Sequence, residues 1–148
     1  MNKSLKDLFF NIKKMSEIHV LKEFKNNLIS FFDELIDQFP DIGELVMIRI
    51  FLNDQVIIKD VVESVSYQIN KNDQMIRKII KDRNEEFFLE ENNFFDGLSV
   101  SSSKQDKVLK FQTIWRSNRL DNEDKDTIWK WIDSFVFLTD KYNKMKEK

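Results

Sequence analysis

The stretch LKEFKNNLISFFDELIDQFPD, Leu21 to Asp41, decides the fold. Leu21, Phe24, Leu28, Phe31, Phe32, Leu35, Ile36 and Phe39 recur at helical spacing and make one wide apolar face. Pro40 ends that helix, because a proline pushes the residue before it out of the α region. Ser16 is placed to cap its start.

Working outward, the same period recurs on both sides. Upstream, Leu5, Leu8, Phe9, Ile12 and Met15 form a narrower stripe, with Lys3, Lys6, Lys13 and Lys14 mostly off it. It reads as a peripheral helix over 1–18 laid on the core, with a surface-seeking amphipathic helix as the alternative. Downstream, Leu45, Val46, Ile48, Ile50, Phe51 and Leu52 are apolar nearly all round, which places a short helix at the centre of the core. A buried strand competes for that segment, but no strand partner is evident. Ile57, Ile58, Val61, Val62, Val65 and Ile69 carry the period on. Asn70-Lys71-Asn72-Asp73 breaks it, with Asp73 as the expected cap of a shorter helix through Met75, Ile76, Ile79 and Ile80.

The segment NEEFFLEENNFFDGL, Asn84 to Leu98, alternates Phe pairs with Glu pairs. Phe87, Phe88 and Leu89 are expected to anchor one turn on the core. Phe94, Phe95 and Leu98 would anchor the return, with Gly97 permitting a tight turn. Ser103 caps the following helix, whose inner face is Val108, Phe111, Ile114 and Trp115. Asp121 or Asn122 opens the last one, in which Ile128, Trp131, Ile132, Phe135, Leu138 and Tyr142 keep the period. Residues 143–148 read as a frayed tail. The expectation is an all-α fold: residues 1–148 as a single-domain irregular bundle of six or seven helices.

Composition narrows the chemistry. Of 148 residues, 41% are hydrophobic and 34% charged, enough apolar surface for a core. With no cysteine there is no disulfide, thiolate zinc site or cysteine nucleophile. No apolar run is long enough to span a bilayer, and the first twenty residues lack a secretory pattern. Two glycines, Gly43 and Gly97, leave no room for a phosphate-binding loop. The carboxylates Glu85, Glu86, Glu90, Glu91 and Asp96 do not follow the calcium-loop spacing, and the single histidine, His19, stands at a helix start without a metal-binding neighbour. No catalytic residue, metal site or cofactor is expected, and the chain reads as a non-enzyme.

Two surfaces remain. Lys104, Lys107 and Lys110 fall on one helical face, followed by Arg116 and Arg119 beside Trp115, an arrangement able to track phosphates and stack a base. An ordinary solvated face is the simpler reading, and a net charge of −2 agrees with it. On the last helix Trp129 and Trp131, like Phe135 and Phe137, are two residues apart and cannot share one narrow face. Trp131 and Phe135 are expected inward. Trp129 and Phe137 then lie on the flank and, with Phe94 and Phe95, are the candidates for a protein interface. The acids Asp33, Glu34, Asp37, Asp41 and Glu44 suit either a partner or, more simply, internal ion pairs.

LISFFDELIDQFPD at 28–41, IRIFLNDQ at 48–55, IKDRNEEFFLEENNFFDGL at 80–98 and IWRSNRLDNEDKDTIWKWIDSFVFL at 114–138 together resemble a family of small helical proteins encoded by nucleocytoplasmic large DNA viruses, the giant viruses of protists and algae. The resemblance covers about 20 to 142 and carries no catalytic motif. It implies a setting: the host cytoplasm or virus factory, or the virion, and not secretion. The resulting expectation is a viral interaction or structural module, a virion component or an adaptor, with a viral or host protein as partner or a second copy forming a homo-oligomer. Nucleic-acid binding through Lys104, Lys107, Lys110, Arg116 and Arg119 is the alternative.

Overall fold

The computed structural model describes residues 2–53, 55–90 and 111–147. Among them are six helices: α1 (Asn2–Gln38), α2 (Gly43–Phe51), α3 (Gln55–Lys81), α4 (Glu85–Glu90), α5 (Phe111–Trp115) and α6 (Asn122–Glu147). The fold is all-α, one bundle in which α1 and α6 pack along each other and α3 packs on both.

α1 is one helix of 37 residues, not two. Ser16 caps nothing, because no Gly or Pro interrupts the chain before Pro40 and a cap needs a non-helical residue ahead of it. His19 therefore lies mid-helix, paired with Glu23 at 2.8 Å. The helix stops where Pro40 requires, and Phe39 N–H closes the last turn on the Leu35 carbonyl at 2.8 Å.

α3 contains the break expected near Asn70. Lys71 is extended, and Asn72, Asp73 and Gln74 all take left-handed φ of 53°, 56° and 64°. Asp73 thus sits inside the break instead of capping the second arm. The chain turns back at this point: Ser66 before the break meets Asn143, whereas Arg77 and Arg83 beyond it meet Asp140 and then Asp133. The second arm so runs antiparallel to α6. It ends in a Schellman motif, with Asn84 N–H on Ile79 O (3.0 Å), Arg83 N–H on Ile80 O (3.1 Å) and Arg83 at φ 55°. Asn84 then caps α4 through its side chain, on the Phe87 N–H. α6 opens with a reciprocal cap: Asp124 N–H donates to Asp121 Oδ1 at 2.8 Å and Asp121 N–H to Asp124 Oδ2 at 3.1 Å.

The core is aromatic. Phe24 and Phe31 of α1 meet Phe135 of α6 at ring distances of 5.3 and 5.7 Å. On the other side of α6, Trp129 packs against Phe88 at 5.2 Å and edge-on to Trp115 at 5.3 Å. α6 is thus covered on two sides, and this overturns the expected split of its aromatics. Trp129 is buried at 3% exposure, so it is not a flank residue available to a partner. Trp131 is the half-buried one: its ring packs on Phe31 and its Nε1 donates to Glu34 Oε2 at 2.8 Å. In α4, Phe88 and Leu89 are buried as expected, but Phe87 faces solvent. α6 continues through the expected frayed tail to Glu147, with Met145 packed on the core.

Candidate protein-docking surface

α2 is where sequence and structure part most sharply. Leu45, Ile48 and Leu52 fall within about one quadrant of the helix and are buried at 0, 2 and 0% exposure. Val46, Met47, Ile50 and Phe51 lie opposite them and are exposed at 40, 45, 64 and 43%. The segment is apolar on both faces, but only one reaches the core. A nine-residue helix that links two long ones lies against the outside of α1 and cannot be enclosed by it. Helices apolar all round are normally buried; this one presents its second face to solvent.

The surface is held in place from several sides. Glu44 in the first turn and Arg49 in the last complement the helix dipole. Arg49 Nε donates to Asp33 Oδ1 of α1 at 2.9 Å. Lys25 Nζ reaches the Asn53 carbonyl beyond the far end at 3.4 Å. Before the helix, Arg119 grips Asp41 with both terminal nitrogens, the second at 2.9 Å, and its guanidinium lies 4.9 Å over the Phe39 ring. The Arg119 hydrogen bonds, with a backbone hydrogen bond, hold the Asp41 carboxyl down at about 2. Gly43, the first residue of the helix, has open space where a Cβ would stand.

The acids Asp33, Asp41 and Glu34 are thus engaged inside the molecule, the simpler of the two readings for that zone. Of the interface candidates, Phe137 is exposed at 66% on α6, next to Val136. Val136 lines a cleft of about 270 Å³ between α3 and α6, together with Arg77, Ile80, Lys81, Arg83 and Asp133. Both arginines in that cleft are spoken for, Arg77 by Asp140 and Arg83 by Asp133. A second cleft, of about 300 Å³ between α1 and α6, has Glu34, Asp37 and Asp124 at its rim. Among the described residues no group of three or more His, Asp or Glu is close enough to hold a metal ion.

Phe94, Phe95, Lys104, Lys107 and Lys110 lie outside the described residues. Of the remaining basic candidates, Arg116 is exposed and Arg119 is committed to Asp41. No family model matches the chain, and neither a curated protein nor a solved structure is similar to it.

Proposed function

We propose that this protein is a non-enzymatic interaction module that binds another protein through the outward face of α2. The observation that carries this is the solvent-facing set Val46, Met47, Ile50 and Phe51 on a helix fixed by Leu45, Ile48, Leu52 and the Arg49–Asp33 pair. Contiguous exposed apolar side chains on a rigid element suit a protein interface, since their burial by a partner removes apolar area from water at no ordering cost to the helix. The viral resemblance sets this reading in an infected cell, with a viral or host protein as the partner. Arg119 is already neutralised by Asp41, which weighs against a nucleic-acid surface that would need it.

The test is affinity enrichment of the tagged chain from infected cells, with and without nuclease, beside the Ile50→Glu variant. Ile50 is exposed at 64%, so its replacement leaves the fold intact. The reading expects a stoichiometric protein that survives nuclease and is lost with Ile50→Glu. A partner that vanishes with nuclease, or one indifferent to Ile50→Glu, would refute it.

A further inference from the structure

The outward face of α6 carries its charges in order. Glu123, Asp126, Lys130, Phe137, Lys141 and Lys144 lie within roughly one quadrant of the helix at about 100° per residue. Lys141 is half-buried and the others are exposed. The two acids stand at the start of the face, Lys141 and Lys144 at its end, and Phe137, exposed at 66%, between them. None of the five charges has an ion-pair partner among the described residues. Asp126 acts on Arg83 only at a distance, because Asp133 holds both terminal nitrogens of that guanidinium at 2.9 and 2.6 Å.

α6 cannot neutralise this pattern by itself. Charges along one helix pair when they are three or four residues apart. Asp126 and Lys141 are fifteen apart, roughly 22 Å. The one acid–base pair at the right spacing, Asp126 and Lys130, is not formed. Glu123 with Asp126, and Lys141 with Lys144, are like charges on adjacent turns that repel. The helix dipole accounts for Glu123 and Lys144, which lie in the terminal turns, but its effect fades before Asp126 and Lys141.

A second copy running antiparallel answers the pattern. A two-fold axis on this face, between Asp133 and Ser134, sets Glu123 and Asp126 of one copy against Lys141 and Lys144 of the other. The same operation sets Phe137 against Lys130, whose ammonium can lie over the ring. Every contact then occurs twice. By register Glu123 and Lys141 share one side of the seam, and Asp126 and Lys144 share the other. Asp133 meets its own mate at the axis, but Arg83 neutralises it in each copy. Asp140, neutralised by Arg77, falls opposite Thr127. A parallel arrangement would put acid on acid and lysine on lysine. A nucleic acid or an anionic membrane would attract the lysines and be repelled by Glu123 and Asp126 on the same face.

We propose that the outward face of α6 is the seam of a two-fold homodimer in which α6 pairs antiparallel with α6 of a second copy. This interface is separate from the docking face of α2. It is mainly polar, with one aromatic anchor per copy, which makes the dimer salt-sensitive and readily dissociated.

The test is sedimentation velocity of the full chain over a range of concentrations. A monomer–dimer equilibrium is expected, shifted towards monomer by added salt. Lys141→Glu with Lys144→Glu, and separately Glu123→Lys with Asp126→Lys, should each weaken dimerisation roughly tenfold or more. Mixing the two variants should restore a dimer, because one copy then presents four acids where the other presents four lysines. A chain that stays monomeric throughout, or a dimer indifferent to both reversals, would overturn the proposal. So would variants that keep the circular dichroism of the unmodified chain and yet do not pair when mixed. Dimers lost with Ile50→Glu and untouched by the α6 reversals would place self-association on α2 instead.

Discussion

Arg77 holds Asp140 through two hydrogen bonds, 2.7 and 3.0 Å, while a further bond at 3.1 Å reaches back to Asn70 on the other side of the break in α3. One guanidinium thus ties both arms of α3 to α6. The pair is only partly buried, so its worth is near the upper end for exposed ion pairs. A double-mutant cycle with Arg77→Ala and Asp140→Ala should give a coupling of roughly 1 kcal/mol in denaturant unfolding. A coupling indistinguishable from zero would mean that helix packing alone holds the break.

The break itself has three consecutive non-glycine residues in the left-handed region, Asn72, Asp73 and Gln74. Asn and Asp tolerate that conformation; Gln is the least suited of the three. Gln74→Gly should therefore raise the thermal midpoint by a few degrees, worth about 0.5–1 kcal/mol after the added entropy of the unfolded chain. Gln74→Val should lower it.

Thr139 is fully buried, and its hydroxyl finds no hydrogen-bond partner among the described residues. Valine has the same shape without the polar group. Thr139→Val is expected to stabilise by about 1 kcal/mol, measured as a shift in the urea midpoint at constant m-value.

Asp41 supplies a test at acid pH. The Arg119 hydrogen bonds, followed by a backbone hydrogen bond, lower its carboxyl from the ordinary value of 3.8 to about 2 in the folded chain. A depressed carboxyl stabilises the fold above its unfolded value, and that contribution disappears as pH falls through about 2. NMR titration of Asp41 should show the low value, and Arg119→Gln should return it towards the ordinary carboxylate range.

The two aromatics that sequence periodicity assigned to one flank should behave oppositely. Trp129→Ala removes a ring packed on Phe88 and Trp115 and should cost about 3–5 kcal/mol. Phe137→Ala, at an exposed position, should change stability by less than about 0.5 kcal/mol.

What could be read from the chain was whatever a single helix decides for itself. The apolar face from Leu21 to Phe39, the stop at Pro40, the break after Asn70 and the opening of α6 at Asp121 all come from local spacing and capping chemistry. What could not be read depends on how many neighbours an element acquires. Trp129 is buried because α4 and α5 cover a second side of α6. Ile50 is exposed because, among the described residues, nothing covers the second side of α2. Periodicity gives the number of apolar faces and not the number of elements available to meet them. For α2 a signal was present in its length: a nine-residue link between two long helices is short, and it packs mainly on one of them, α1.

The contact of α1 with α6 has a temporal side. Phe31 waits for Trp131, a residue one hundred positions later in the chain. At a synthesis rate of roughly 5–20 residues per second, the apolar face of α1 is without its main cover for roughly 5–20 seconds. During that interval the nascent helix presents Phe24, Leu28 and Phe31 to whatever is near the ribosome. The completed bundle is a late event in the life of each molecule, and holding chaperones have their opening before α6 arrives.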